Sequence, residues 1–193
     1  MGRSSARGRR PAATRAAARL HATSSDAGAL ATSLVSATLP RSGQGLAYRP
    51  LDDARRARSL FDYAALPWPR QDGRLLAWGA FQPASDGEEL VGGVVAEQSS
   101  RSALLHGPVV ISSQEALQIA AQLVSAILDH TVAAGASTLF AQPQGLDRIW
   151  VRYGFIPVPE GTLPEGLSGQ TGEGLYAWRG GSAVWSLRRI DTE

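Results

Sequence analysis

The stretch that decides the fold runs Gly145-Leu146-Asp147-Arg148-Ile149-Trp150-Val151-Arg152-Tyr153-Gly154-Phe155. Its apolar spacing predicts a short helix over Leu146–Tyr153, and the Gly-Phe pair opens a predicted strand over Phe155–Val158. Before it, a strand-like run covers Thr138–Gln142, and a long helix with one broad apolar face covers Glu115–Ala134. This order of helices and strands is typical of an α/β domain.

The remaining elements follow from apolar alternation and helical spacing. A further helix is predicted over Ala54–Leu66. The other predicted strands are Leu46–Leu51, Leu75–Phe81, Leu90–Glu97, Ala103–Ile111, Gly174–Trp178 and Ala183–Leu187. A turn-rich linker over Pro83–Glu89 predicts a hairpin. Ser112 and Glu115 match a capping box before the long helix, and His130, opposite the apolar face of that helix, is expected at the surface. The Gly/Pro-rich segment Pro159–Gly174 is long for a plain connection, and such loops often shape a site.

Charge divides the 193-residue chain into two parts. Residues 1–45 contain seven Arg and one acid, whereas the rest contains 12 Arg and 16 acids, so the folded part is mildly acidic. A nucleic-acid-binding surface on the folded part is therefore not supported. All basic residues other than the three His are Arg, which excludes lysine Schiff-base chemistry. Without Cys, disulfides and thiolate metal sites are excluded, and three scattered His residues do not predict a metal site.

The segment 1–45 has too few large apolar residues to order itself, so we expect a disordered basic extension before a domain over 46–193. Three interpretations stay open for it: a transit peptide, a basic disordered tail that contacts nucleic acid or acidic partners nonspecifically, or an upstream start that is not used. The chain has no unbroken apolar run of about 20 residues, so we expect no membrane span. The expected location is cytoplasmic, or a plastid or mitochondrion if residues 1–45 are a transit peptide.

The stretch Gly145–Phe155 and three further segments together resemble a known protein family. Tyr48–Ala54, Leu90–Ala96 and Leu105–Val110 resemble the first strand with its turn, the strand before the cofactor strand, and the cofactor strand of GNAT-superfamily acyltransferases. The resemblance covers roughly residues 46–187. It implies a mixed, splayed β-sheet with helices on both faces.

The resemblance also implies a ligand, acetyl-CoA or another acyl-CoA. In the family the cofactor strand splays from its neighbour, and the backbone of Val109, Val110 and Ile111 would contact the pantetheine arm in that gap. The pyrophosphate would lie at the start of the long helix, where free amides and the helix dipole favour anions. Further residues expected there are Ser112, Ser113, Gln118 and Ala120. The glycines usual in that loop are absent and Glu115 occupies its first position, so a plain capped helix is the alternative.

The catalytic residues implied by the resemblance are only partly present. Trp150 occupies the position where many family members have a Tyr acid, and an indole cannot protonate a leaving thiolate. Tyr153, one turn further on, could substitute, or it could be a packed aromatic. His106 and Glu97 lie on strands that line the acceptor side in the family and are the candidate bases. The alternative for His106 is a core or edge histidine, and the alternative for Glu97 is a solvated strand end.

Two functions therefore stay open on the sequence. The first is an acyl-CoA-dependent N-acyltransferase, in which a small-molecule or protein amine attacks the thioester directly. The second is a GNAT-fold binding or scaffold protein that has lost turnover. Neither requires a metal, a specific nucleic acid or a membrane, and a homodimer is compatible with both.

Overall fold

The computed structural model describes residues 31–69, 73–111, 115–167 and 184–188. Within these residues the chain forms one eight-stranded sheet in the order β1-β2-β3-β4-β5-β6-β8-β7, in which only β5 and β6 pair in parallel. The strands are β1 (Arg41–Gly43), β2 (Leu46–Pro50), β3 (Arg74–Ala84), β4 (Gly87–Ser99), β5 (Ser102–Val110), β6 (Thr138–Ala141), β7 (Ile156–Val158) and β8 (Val184–Arg188). The helices are α1 (Arg58–Tyr63), α2 (Ala116–Ala133) and α3 (Asp147–Arg152), with a further helical segment over residues 31–37 before β1 and single 3₁₀ turns at Ala54–Ala57 and Glu160–Thr162.

Helices cover both faces of the sheet, as predicted for an α/β fold. Strand side chains alternate between the faces. Leu76 and Trp78 pack in the same core as α2, whereas Ala77 packs with Leu60 and Phe61 of α1. We call these two sides the α2 face and the α1 face. Each fully buried Leu, Ile or Phe stabilises such a core by about 1.5–3 kcal/mol.

The sheet begins before the predicted first strand, which corrects the boundary of the N-terminal extension. Arg41–Gly43 pairs with β2, and Arg41 forms an ion pair of 2.8 Å with Asp129 of α2. The turn between the strands is Gln44-Gly45, and both residues have positive φ, 51° and 72°. Two consecutive positive φ values are typical of a type I′ hairpin turn, but Gln is not one of its usual residues, so the sequence signal was weak.

The hairpin of β3 and β4 is confirmed, but the linker proposed within it is wrong. Pro83 and Ala84 still belong to β3, and β4 already starts at Gly87, so only two residues form the turn. Residues 83–89, which were predicted to form the linker, are all exposed. Because the ends of both strands extend beyond the buried core, their polar composition looked like a loop.

The connection from β2 into α1 follows the predicted capping. The side chain of Asp53 accepts a hydrogen bond from the backbone N–H of Arg55, as expected of an N-cap. The predicted single helix over Ala54–Leu66 is instead a 3₁₀ turn followed by the shorter α1. Leu60 and Phe61 are its buried residues and hold it against the α1 face.

Helix α2 is long and apolar enough, by length and composition, to cross a membrane. Nine of its residues are buried, among them Leu123, Val124 and Ile127 in the core of the α2 face, so packing on the sheet accounts for the composition. Gly135, with a φ of 97°, follows the end of the helix as predicted. The predicted capping box is wrong, because Glu115 is itself the N-cap residue, has left-handed backbone angles and makes no capping bond through its side chain.

The C-terminal predictions are met in part. Strand β8 corresponds to the predicted Ala183–Leu187 and pairs with both β6 and β7. The predicted strand Gly174–Trp178 and the end of the loop Pro159–Gly174 lie outside the described residues. Leu163 and Leu167, earlier in that loop, are buried against Leu104 and Phe140 on the α1 face.

Candidate functional site

Strands β5 and β6 separate halfway along β5. They pair from Ser102 opposite Thr138 to Leu105 opposite Ala141, where β6 ends. Strand β5 continues for five more residues, His106 to Val110, and there it pairs only with β4 among the described strands. The sheet therefore has a gap on one side of β5, where the GNAT resemblance implied a splay.

A bulge shapes β5 at the start of this gap. Gly93 pairs with Val109 and Val95 with His106, so two residues of β5 lie opposite the single Val94 of β4. One of the two is Gly107, with a φ of 84°, a value at which an L side chain is strained. The bulge changes the course of β5 immediately after His106, at the point where β6 has ended.

His106 and Glu97 meet on the α1 face. Nε2 of His106 lies 3.3 Å from Oε2 of Glu97, and the two residues are only 3% and 2% exposed. The atoms are close enough for a hydrogen bond but are not aligned for one, and neither has another partner. Glu97 is not the solvated strand end that was the alternative to a catalytic role. A buried acid and a buried imidazole without aligned partners are rare in a folded core, because each unpaired polar group costs free energy.

The surroundings of this pair are apolar. Leu104, the register partner of Glu97, packs with Leu163 and Leu167 from the loop after β7. On the other side, a Cβ at Gly107 would contact the ring of Phe61 from α1 at 3.4 Å. Electrostatic interactions in such low-dielectric surroundings are stronger than in water.

Successive residues of β5 along the gap direct their backbone N–H and carbonyl groups alternately towards β4 and away from it. The N–H of Ile111 donates to the carbonyl of Val91 in β4, at 2.9 Å. Hydrogen-bonded and non-hydrogen-bonded pairs alternate in an antiparallel ladder, so the N–H and carbonyl of Val110 point away from β4, towards the gap. Of the three residues predicted to hold the pantetheine arm, Val109 and Ile111 face β4 by this register. Val110 is the one whose backbone groups are directed to the open side.

The start of α2 lies beyond the end of β5. Gln118 is exposed in the first turn, whereas Ala120 is 3% exposed and belongs to the core. Ser112 and Ser113, also predicted to bind the cofactor, lie outside the described residues. The first N–H with a partner inside the helix is that of Ile119, which bonds to the carbonyl of Glu115, so the amides before it have no intrahelical acceptor.

The carboxylate of Glu115 is within electrostatic reach of Tyr48. The pKa of Tyr48 is raised, first by burial of its ring and then by the negative charge of Glu115. Tyr48 lies on β2, which is separated from β5 by two strands on the side opposite β6. The backbone N–H and carbonyl of Val110 that point to the gap, and the amides at the start of α2 that have no intrahelical acceptor, remain the candidate cofactor-binding groups.

Trp150 in α3 and Tyr153, its C-cap residue, both donate to backbone carbonyls. Trp150 is fully buried, and its Nε1 donates to the carbonyl of Pro143 at 3.3 Å. The hydroxyl of Tyr153, the predicted acid, donates to the carbonyl of Ala121 in α2 at 2.8 Å. Tyr153 thus fastens α3 to α2, and an acid role would require this bond to open.

The third histidine of the chain is a structural one. His130 is 8% exposed, and its Nδ1 accepts a hydrogen bond of 3.2 Å from Nε1 of Trp78. The prediction of a surface position is therefore wrong, because an indole N–H from β3 provides the partner that makes burial tolerable. Burial lowers the pKa of His130, and the charge of Arg74 lowers it further.

Two features of the α1 face were missed on the sequence. The indole N–H of Trp68 is buried without a partner beside Phe61. An open surface pocket of about 320 Å³ is lined by Asp52, Asp53, Ala54, Arg55, Gly73 and Leu75. Leu75 and Ala77 alternate along β3, and Glu97 is the register partner of Leu75. This pattern could have indicated that the three side chains share one face of the sheet, but it could not have indicated a pocket. Among the described residues no group of three His, Asp or Glu could hold a metal ion.

The described fold matches solved structures of acetyltransferases. N-acetylglutamate synthase from Neisseria gonorrhoeae, solved with coenzyme A and N-acetyl-glutamate, superposes with a TM-score of 0.53 at 14% identity over 76% of this chain. This chain spans 36% of that synthase. A GNAT-family acetyltransferase from Staphylococcus aureus gives a TM-score of 0.52 at 11% identity over 73% of this chain and 98% of its own length.

These similarities confirm the GNAT fold that the sequence predicted. No family model and no curated protein sequence matches the chain. The chain is thus similar to these acetyltransferases in fold, and its chemistry has to be argued from its own residues.

Proposed function

We propose that this protein is an acyl-CoA-dependent N-acyltransferase, in which an amine attacks the thioester directly and the Glu97–His106 pair accepts its proton. The observation that carries the proposal is the position of the pair. His106 is the first residue of β5 that has no β6 partner, and Glu97 is buried against it at the point where the gap begins. An unaligned acid–imidazole pair is expensive to bury, and a catalytic role explains why it is kept.

Acyl-CoA supplies an activated acyl group as a thioester. The outward N–H and carbonyl of Val110 would bind the pantetheine amides in the gap, as an added strand would. The open amides at the start of α2 would face the phosphates, where the helix dipole favours negative charge. Holding both reactants in the attack geometry supplies much of the rate acceleration.

The proton follows a short path. When the amine nitrogen bonds to the thioester carbonyl carbon, its proton passes to the imidazole of His106, and Glu97 stabilises the imidazolium that forms. Collapse of the tetrahedral species breaks the C–S bond and releases the CoA thiolate. The geometry favours departure of the thiolate without a protein acid, since the indole of Trp150 does not ionise and its N–H is bonded to Pro143, and the hydroxyl of Tyr153 already donates to Ala121.

The same two aromatic contacts favour a second candidate, a GNAT-fold binding protein without turnover. In that case the pair would be a remnant, and acyl-CoA would bind without transfer or not at all. The cytoplasmic location and the homodimer stay predictions under either function.

Calorimetric titration of acetyl-CoA into the full chain tests the proposal. We expect micromolar binding that Gln118→Glu weakens, because the new carboxylate would lie in the first turn of α2 beside the phosphates. Ser59→Glu, an equal charge change on the exposed side of α1, is the matched control and should leave binding unchanged. Absence of binding at millimolar acetyl-CoA would overturn the proposal, and binding without turnover on any amine would favour the second candidate.

A further inference from the structure

The gap in the sheet has a side on β6 as well as a side on β5. Strand β6 ends at Ala141, and the chain continues as Gln142. Leu105 and Ala141 are the last register partners of the two strands. His106 and Gln142 are therefore the first residues beyond that pair, one on each side of the gap. We call this position the apex of the gap.

The side chains of His106 and Gln142 belong to the same face of the sheet. Along β6, Ala141 packs in the core of the α2 face, whereas Phe140 packs with Leu104 on the α1 face. Because successive residues of an extended chain alternate between the faces, Gln142 follows Phe140 onto the α1 face, where His106 also lies. Paired strands are about 4.8 Å apart. One residue beyond the last pair, the two sides of the gap are close enough for one small group to contact both.

A hydrogen bond orients the amide of Gln142. Nε2 of Gln144 donates to Oε1 of Gln142 at 3.3 Å. This bond uses the oxygen of the Gln142 amide and neither of the two N–H donors on its nitrogen. Gln142 is half-buried, so a ligand in the gap can reach its side chain. Nε2 is therefore the donor that Gln142 brings to the apex.

The turn that holds Gln144 has an unfavourable backbone conformation. Gln144 has a φ of 46°, in the left-handed region that residues other than glycine rarely adopt, and Gly145 follows with a φ of 81°. Such a conformation costs free energy, and residues that keep it cluster at functional sites. In this chain it places the amide of Gln144 against the amide at the apex.

The apex is where a reacting thioester carbonyl would lie. Its carbon has to be within reach of the amine that His106 deprotonates, and His106 is at the apex. When the amine nitrogen bonds to that carbon, the π electron pair of the carbonyl moves onto the oxygen, which becomes an oxyanion. A fixed hydrogen-bond donor stabilises the oxyanion more than the carbonyl from which it forms, particularly among apolar neighbours. Leu104 and Phe140 provide such neighbours beside the apex.

We infer that Gln142 is a further catalytic residue, whose Nε2–H donates a hydrogen bond to the thioester carbonyl oxygen. The inference rests on the proposed acyltransferase function and adds the side chain that stabilises the oxyanion. As the C–N bond forms, negative charge collects on the oxygen beside Nε2. As the C–S bond breaks, the electron pair returns to the carbonyl and CoA leaves as thiolate. Gln142 keeps its protons throughout, and the proton of the amine goes to the Glu97–His106 pair. Gln144 is a positioning residue, since it acts only through Gln142.

The carbonyl stretching frequency of bound acetyl-CoA tests this inference without turnover. Acetyl-CoA labelled with ¹³C at the carbonyl is added to the full chain, and the infrared difference spectrum against unlabelled acetyl-CoA isolates that band. A hydrogen bond to the oxygen lowers the stretching frequency. We therefore expect the band to move to higher frequency in Gln142→Leu than in the natural chain.

The variant Gln142→Glu separates the donor from the bond to Gln144. A carboxylate at this position still accepts from Nε2 of Gln144 but has no N–H of its own. We expect Gln142→Glu to raise the frequency as Gln142→Leu does, and Gln144→Leu, which removes only the orienting bond, to raise it less. Gln82→Leu, at an exposed position of β3, is the matched control and should leave the band unchanged.

Affinities measured on the same samples give a second readout. Each variant is titrated with acetyl-CoA and with CoA, which lacks the carbonyl, so that effects on the shared part of the cofactor cancel. We expect both substitutions of Gln142 to weaken acetyl-CoA relative to CoA by about two- to tenfold, the range for one hydrogen bond.

The outcomes separate the inference from the function on which it rests. If acetyl-CoA binds and Gln142→Glu changes neither the band nor the ratio of affinities, the inference is overturned and the acyltransferase proposal stands. An effect of Gln142→Leu that Gln142→Glu does not share would assign Gln142 a structural role through Gln144, which also overturns the inference. If acetyl-CoA does not bind to the natural chain, the proposed function fails, and the inference fails with it.

Discussion

The two faces of the sheet each bury a histidine, and they do so in opposite ways. On the α2 face, His130 accepts an aligned hydrogen bond from the indole of Trp78. On the α1 face, His106 faces Glu97 at 3.3 Å without alignment, and the neighbouring indole N–H of Trp68 has no partner either. Satisfied polar groups stabilise a fold, whereas unsatisfied ones cost free energy, so the α1 face is the one whose arrangement needs a function to explain it.

The largest stability effect should come from removing the pair on the α1 face. We expect the double variant Glu97→Leu/His106→Leu to raise the free energy of unfolding by about 1–4 kcal/mol, because well-packed apolar residues avoid the desolvation cost of a buried acid–imidazole pair. Urea unfolding followed by circular dichroism measures it. A clear loss of stability would mean that the pair is structural, and the contrast between the faces would disappear.

The opposite sign is expected on the α2 face. Trp78→Phe should lower the free energy of unfolding by about 1–3 kcal/mol, since it leaves Nδ1 of the buried His130 without a donor. The same urea titration applies, with Trp185→Phe, at a partly buried position of β8, as the control for loss of indole area. If Trp78→Phe and Trp185→Phe lower the free energy of unfolding by the same amount, the hydrogen bond from Trp78 to His130 makes no measurable contribution to stability.

His130 should also make the α2 face sensitive to acid. Its pKa is lowered by burial and by Arg74, so the folded protein holds it neutral while the unfolded chain takes up a proton. The unfolded pKa is about 6.5, and stability should therefore fall as the pH drops below that value, until the lowered folded pKa is reached. His130→Asn, whose side-chain oxygen can accept from Trp78, should lose less stability between pH 7 and 5 than the natural chain. Identical pH profiles would show that His130 does not titrate differently on unfolding.

The sequence predicted the sheet and both catalytic candidates of the α1 face, but not their contact. Alternation assigns a residue to a face, yet the meeting of Glu97 and His106 depends on the register of β4 with β5 and on the bulge at Gly107. The burial of His130 was missed because its partner, Trp78, is 52 residues away in the chain. The first strand was missed because its turn uses Gln44 where Asn or Asp is usual.

The central claim is that the Glu97–His106 pair takes the proton of the attacking amine. The most direct measurement is the rate of CoA release from acetyl-CoA for the natural chain, Glu97→Gln and His106→Gln, with the best acceptor from a screen of small-molecule and peptide amines and with acetyl-CoA affinity measured on the same samples. The account predicts that kcat/KM falls about a hundredfold or more in His106→Gln, with a smaller loss in Glu97→Gln, while acetyl-CoA affinity changes little. Full activity in both variants would contradict it.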